Sequence, residues 1–107
     1  MRIDKEDIMR VLLVCAGGFS TGLLMKKMKN YWEEQGIDLV IEATSVRVCD
    51  EVSDNYEVVL IGPQVGYQLD NIKERTGLPC AIIPSMDYGI GNCPNIMKLV
   101  KEMYEEI

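Results

Sequence analysis

Cys15 is the one strong nucleophile in this chain whose neighbours look built to serve it. It closes the apolar run Met9-Arg-Val-Leu-Leu-Val-Cys15 and is followed by Ala16-Gly17-Gly18-Phe19-Ser20-Thr21. A loop that turns several backbone N–H groups toward one point needs positive φ or close backbone approach, and Gly17 and Gly18 allow both at small cost. If Thr21 begins a helix, its N-terminus adds roughly half a positive charge, while Ser20 and Thr21 cap the first turn or donate hydroxyls to an anion. The amides of residues 16 to 21 and the helix dipole would then favour a thiolate and hold a phosphoryl group in the same place. A cysteine ending a buried strand can also be plain core filler. The two glycines and the Ser-Thr pair are what make a functional thiol the stronger expectation here.

The chain has no histidine, so Ser-His-Asp triads, Cys-His pairs and His-ligated zinc are impossible within it. Any imidazole in the chemistry must come from another molecule. Cys49, Cys80 and Cys93 are scattered without a CxxC pair, so neither a zinc knuckle nor a dithiol redox motif is present. No metal ion and no cofactor is expected. Free thiols are expected throughout, with Cys49 and Cys80 structural and Cys93 a candidate exposed thiol near the same sheet edge.

Other phosphate-loop chemistries fail on particular residues. Gly17 and Gly22 have Walker A spacing, but Leu23 stands where the lysine must be. A small cysteine phosphatase needs an arginine six positions after its cysteine to clamp phosphate bidentately, and that position is Thr21. A receiver-type phosphoacceptor needs an aspartate ending the third strand, where the chain has Ile61-Gly62-Pro63.

The elements that must position the thiol follow from periodicity. Met9–Cys15 reads as a strand buried on both faces. Thr21 to Gln35 reads as a helix with Leu24, Met28 and Tyr31 inward, Lys26, Lys27 and Glu33 outward, and Gly36 as its stop. Ile37 to Val46 forms a second strand, and 47 to 55 a short helix or turn. Val58 to Ile61 is a third buried strand. Val65, Leu69 and Ile72 mark a helix closed by Gly77, and Cys80 to Ile83 is the fourth strand. Pro84 to Asn92 reads as a loop, and Ile96, Leu99, Val100, Met103, Tyr104 and Ile107 trace the apolar face of a last helix.

Strands alternating with helices imply an α/β fold: an open parallel sheet, Rossmann-like, with helices on both faces and right-handed crossovers. Ligands of such sheets bind beyond the carboxyl ends of the strands, which is where Cys15 falls. Residues 1 to 8 are polar and read as an extension preceding a domain of residues 9 to 107.

The 107 residues, 12.1 kDa, fit one domain with a single modest core. Eleven basic against seventeen acidic residues give a net charge of −6, which repels phosphate backbones and anionic lipid heads, so nucleic acid is not an expected partner. No apolar run approaches a membrane span and the first residues are too charged for a signal peptide. A cytoplasmic protein without direct membrane insertion is expected.

Three stretches together resemble a known family: Val11-Leu-Leu-Val-Cys15-Ala-Gly-Gly-Phe-Ser20-Thr21, Val58-Val-Leu-Ile-Gly-Pro-Gln64-Val-Gly-Tyr67, and Asp87-Tyr88-Gly89. In order and spacing they are similar to the cytoplasmic IIB components of the bacterial sugar phosphotransferase system, in the lactose, cellobiose and chitobiose branch. The first stretch alone is shared in outline with galactitol and ascorbate IIB proteins and with small tyrosine phosphatases.

The resemblance implies a four-stranded parallel sheet and a phosphocysteine at Cys15. A phosphorylated IIA protein would donate from its histidine, and Cys15 would pass the group to a sugar bound by the membrane IIC permease. A donor imidazole arriving from outside agrees with the chain's lack of histidine. Gln64, Tyr67, Asp87 and Tyr88 are candidates for a rim, with Asp87 a general base only if the last loop folds over the site; capping or core packing are their structural alternatives. Phe19, Met86 and Tyr88 are candidates for an apolar docking ring. Gly17-Gly18-Phe19 departs from the family's usual small-residue loop ending in methionine. Two further classes share the same thiol: a stand-alone phosphatase-like or arsenate-reducing enzyme, and a binding module with an inert cysteine.

Overall fold

Val11 to Val14 and Val58 to Ile61 carry no polar side chain, so neither strand has a face it can show to water. They pair with each other at the centre of a four-stranded sheet of order β2-β1-β3-β4 in which every pairing is parallel. The structure, a computed structural model, describes residues 8–16 and 19–107, with the side chains of residues 19 and 20 outside the description.

The strands are β1 (Ile8–Val14), β2 (Asp38–Thr44), β3 (Val58–Ile61) and β4 (Cys80–Ile82). The helices are α1 (Phe19–Glu34), α2 (Cys49–Val52), α3 (Leu69–Thr76), α4 (Ser85–Ile90) and α5 (Cys93–Tyr104). Single 3₁₀ turns flank α2, and a longer 3₁₀ segment, Pro63–Gln68, leads into α3.

Chain direction explains the two covered faces. The step from β1 to β2 moves one way across the sheet and the steps to β3 and β4 move the other way. With crossovers of one hand, that reversal puts α1 on one face and α2 and α3 on the opposite one. Alternation along β1 divides its side chains accordingly. Met9, Val11 and Leu13 join a core with Leu24, Met28 and Trp32 of α1 and Ile96, Val100 and Met103 of α5. Leu12 and Val14 join Cys49, Val65 and Ile72 beneath α2 and α3.

Several boundaries differ from the periodicity. α1 begins at Phe19, two residues before Thr21, so Ser20 and Thr21 lie inside its first turn rather than capping it. β2 ends at Thr44, because Val46 already belongs to a 3₁₀ turn. The stretch 84 to 92 is not a plain loop: Ser85–Ile90 is helical and stops at Gly91, whose φ of 65° is the left-handed conformation that suits glycine. Trp32, absent from the inward positions read from the sequence, is fully buried, whereas Tyr31 beside it is only partly so. Ile107 lies beyond the end of α5 and is 70% exposed.

At the opposite end of the sheet from Cys15, two tyrosines hold their protons tightly. The Tyr104 hydroxyl accepts from the Arg10 N–H at 2.8 Å and donates to Glu57 Oε1 at 2.6 Å. Burial first, then the bond to Glu57, pushes its pKa upward. Tyr56, partly buried and donating to Glu42, is pushed up to about 12. A raised folded pKa means that the unfolded chain loses its phenolic protons first. The stabilisation is therefore intact below about pH 10, the ordinary tyrosine value, and is lost as pH climbs through the folded values. Urea midpoints should fall steadily above pH 10, and Tyr56→Phe should flatten that fall. Midpoints unchanged up to pH 11.5 would contradict the assignment.

Candidate functional site

Register brings the thiol to the point where the sheet changes direction. Val14 of β1 stands level with Thr44 of β2 and Ile61 of β3, and Ile61 with Ile82 of β4, so the carboxyl ends of all four strands finish in one row. Cys15 is the next residue past that row on a central strand. Its N–H donates to the Thr44 carbonyl at 3.0 Å, and the Gly62 N–H donates to the Val14 carbonyl at 2.8 Å. In an open parallel sheet the crevice between the strands where chain direction reverses, here β1 and β3, is the usual ligand site.

Side-chain alternation sends Cys15 to the same face as Leu13, the face covered by α1. Thr21, in the first turn of α1 and 3% exposed, donates its hydroxyl to the Cys15 sulfur at 3.6 Å. The thiol lies 3.9 Å from the Thr44 carbonyl, to which its proton is directed. One neighbour therefore accepts from the thiol, and the other donates to whatever electron pairs the sulfur presents. The position at which an arginine would clamp a phosphate is held by a neutral hydroxyl.

Cys15 itself is 4% exposed and lines a cavity of ≈ 240 Å³ with Ala16, Ala43, Thr44 and Ser45. That volume is several times the ~30 Å³ share of one water molecule. Gly17 and Gly18, expected to supply loop amides, lie outside the described residues, as do the side chains of Phe19 and Ser20. Ala16 is described and borders the cavity.

The candidate rim separates into residues that contact the thiol's neighbours and residues that face solvent or bond elsewhere. The Tyr88 hydroxyl is 3.2 Å from Thr21 Oγ1, which places the phenol one residue from the sulfur. Gln64 reaches back over Gly62: a Cβ built on that glycine would stand 3.4 Å from Gln64 Oε1 and 3.5 Å from Cys15 Cβ. A side chain there would meet only ordinary van der Waals contacts, so Gly62 lies beside Cys15 without a steric demand for glycine. Tyr67 is 82% exposed and Met86 76% exposed, so both rings of contact expected of them face solvent. The Asp87 carboxylate accepts from Asn95 Nδ2 at 3.2 Å, and the Asp87 carbonyl accepts from the Asn92 N–H at 2.9 Å, joining α4 to the start of α5.

Cys93 is not an exposed thiol. It sits 6% exposed in the first turn of α5, within the core on the α1 face, and burial raises its pKa. The helix there faces inward. Cys49 and Cys80 pack in and against the other core, and burial pushes both thiols up. All four cysteines are free.

Arg75 is a positioning residue that periodicity did not reveal. From the last turn of α3 it donates to the carbonyls of Val46 and Arg47, each at 2.8 Å, and pairs with Asp50. These bonds brace the segment leaving β2, the same segment whose Thr44 and Ser45 wall the cavity. The only available signal was a second basic residue beside Lys73 in the last turn of a helix, which the helix dipole alone explains.

Comparisons with known proteins agree on one family. Residues 10–99 match the family model described as PTS system, Lactose/Cellobiose specific IIB subunit. The galactose-specific EIIB component of Lactococcus lactis subsp. cremoris is 34% identical over 88 residues, covering 75% of this chain and 82% of that protein. The solution structure of the cellobiose-specific phosphotransferase IIB component from Borrelia burgdorferi superposes with a TM-score of 0.77 at 32% identity, covering 94% of this chain and 95% of that one. The lactose-specific EIICB component of Streptococcus mutans is 35% identical over 66 residues, 62% of this chain and 12% of that much longer protein. No helix among the described residues is long and apolar enough to cross a membrane.

Proposed function

Since the chain belongs to the lactose/cellobiose-specific IIB subunit family of the sugar phosphotransferase system, we propose that Cys15 is its phosphoryl carrier, loaded by a IIA phosphohistidine and unloaded onto a sugar held by a membrane IIC permease. IIB components act as phosphotransferase subunits, and the Streptococcus mutans relative, an EIICB protein, supports a IIC partner in general terms. The finer assignment to Cys15 is supported most by one observation: the sulfur stands just past the end of β1, where the sheet reverses, with a buried hydroxyl donating to it and a cavity beside it.

In the loading step Cys15, its proton given up to solvent, attacks phosphorus as the thiolate; the S–P bond forms as the phosphohistidine N–P bond breaks, and that electron pair stays on the donor imidazole, which takes a proton from solvent. In the unloading step a sugar hydroxyl oxygen attacks, the O–P bond forms, the S–P bond breaks, and sulfur leaves as thiolate. The hydroxyl proton goes to solvent or to a base on the permease. Transfer of this kind depends on in-line placement and on stabilising three equatorial oxygens rather than on covalent work by the protein. Donors gathered around the sulfur suit that task, with Thr21 among them and the amides of residues 16 to 21 proposed to join it.

The test is incubation of the full chain with a phosphohistidine-bearing IIA protein, followed by intact mass measurement and peptide mapping. The expected result is the mass of one phosphoryl group, mapped to Cys15. No uptake, or uptake on another residue, overturns the proposal. Turnover of an aryl phosphate or arsenate by the chain alone would instead make it a free-standing enzyme.

A further inference from the structure

We propose that Tyr88 is a positioning residue for Cys15, acting through Thr21: the phenol donates to the Thr21 hydroxyl and so commits the only proton of that hydroxyl to the sulfur. The consequence for transfer rests on Cys15 being the phosphoryl acceptor, but the hydrogen-bond chain itself does not.

Thr21 is 3% exposed, and among the described residues its Oγ1 has two polar neighbours, Cys15 Sγ at 3.6 Å and the Tyr88 hydroxyl at 3.2 Å. A hydroxyl has one proton to give and two lone pairs. Away from water the chain therefore has two arrangements. Thr21 can donate to the phenol, leaving its lone pairs toward the sulfur, or it can donate to the sulfur while Tyr88 donates to it. A neutral thiol tolerates both, because its own proton is directed at the Thr44 carbonyl. An anionic sulfur, or the phosphoryl oxygens that follow it, selects the second, since a hydrogen bond to an ionised acceptor is roughly twice as strong as a neutral one. A phenol is also a more acidic donor than an aliphatic alcohol, and successive donors polarise one another. Tyr88 thus lowers the cost of charge on Cys15 without touching it.

Two further contacts hold the phenol in place. Its ring packs against the core on the α1 face. Lys27 of α1 donates to the Ile90 carbonyl at the end of α4 at 3.4 Å, and a Cβ on Gly91 would stand 2.8 Å from that ammonium. The helix that carries Thr21 is therefore tied to the helix that carries Tyr88 at a second point, one that a bare glycine leaves room for. Among the described residues, the groups hydrogen-bonded to the sulfur are the Thr21 hydroxyl from α1 and the Thr44 carbonyl from β2, both uncharged, and Gly62 at the end of β3 lies beside the Cys15 Cβ. On α4 the titratable groups are Tyr88 and Asp87, the latter bonded to Asn95.

The test is the pH profile of iodoacetamide alkylation at Cys15, followed by peptide mapping in the full chain. Tyr88→Phe should shift the profile to higher pH and slow alkylation at pH 7 by about threefold, the size of a modest hydrogen-bond loss. Thr21→Val should shift it further, Thr21→Ser should restore the wild-type profile, and Tyr88→Phe should add nothing in the Thr21→Val background. Should Thr21→Val not fold, Thr21→Ala takes its place in the cycle. An unchanged profile in Tyr88→Phe, or an equal shift with and without the Thr21 hydroxyl, overturns the proposal. The same variants assayed for uptake from a phosphohistidine donor separate the two ideas. If wild-type chain takes up no phosphoryl group while the alkylation profiles shift as stated, the carrier assignment fails and the hydrogen-bond chain stands.

Discussion

Cys15→Ser will abolish phosphoryl uptake from a phosphohistidine donor, by about 10³-fold or more, while leaving the fold intact. The two halves of that expectation have separate causes. Uptake requires an ionised nucleophile. A thiol supplies a usable thiolate fraction near neutrality, whereas an alcohol depends on an adjacent base to activate it. The polar partners described at the Cys15 sulfur are a hydroxyl and a carbonyl, neither of which is a base, and Asp87 is bonded to Asn95.

Stability should survive because serine is smaller than cysteine and keeps both polar contacts of the site, accepting from Thr21 and donating to the Thr44 carbonyl. Intact mass after incubation with donor measures the first effect, and thermal unfolding the second. Retained uptake in a folded Cys15→Ser variant would move the phosphoryl group elsewhere. Loss of uptake accompanied by unfolding would make the substitution uninformative about chemistry, so the two measurements belong on the same preparation.

Trp32→Ala carries the largest expected cost in stability, about 3–5 kcal/mol, as for other buried aromatic truncations. Trp32 is fully buried on α1, its Nε1 donates to Met9 Sδ at 3.1 Å, and its ring meets Tyr31 edge-on with centroids 6.1 Å apart. It therefore joins α1 to β1 within the face that carries the thiol. A domain of this size shifts its Tm by roughly 4–8 °C per kcal/mol, so a fall of about 15 °C or more is expected. Against a total stability of about 5–15 kcal/mol, such a loss leaves the variant near its folding threshold.

Trp32→Phe should lose much less, since the ring volume is largely kept and the abandoned sulfur is only a weak acceptor. Thermal unfolding followed by circular dichroism checks both, because the variants lack the only tryptophan of the chain. Equal losses in the two variants would mean that the indole N–H contact, not packing, holds α1 in place.

Much of the molecule was legible before its structure. Apolar runs marked β1 and β3, because strands covered on both faces have no choice of composition. Glycines marked the ends of α1 and α3, because Gly36 and Gly77 take the positive φ that closes those helices. The misreadings have causes as well. α4 was hidden because Ser85-Met-Asp-Tyr-Gly-Ile90 is too short for a periodic pattern and contains glycine. Cys93, expected as an exposed thiol near the same sheet edge, lies in the core because the first turn of α5 packs inward, a contact that its place in the sequence does not show.

Residue types and their order determined that a thiol ends a buried strand, that a glycine-rich stretch follows it, and that no internal imidazole exists; these are properties of covalent sequence and of local pattern. Only the tertiary structure decided which distant groups meet that thiol. Thr44 and Gly62 arrive beside it from β2 and the end of β3 through strand register, and Tyr88 arrives from α4 at the Thr21 hydroxyl that bonds it. Such meetings depend on how separate elements pack against one another, and a pattern read along the chain holds no term for that.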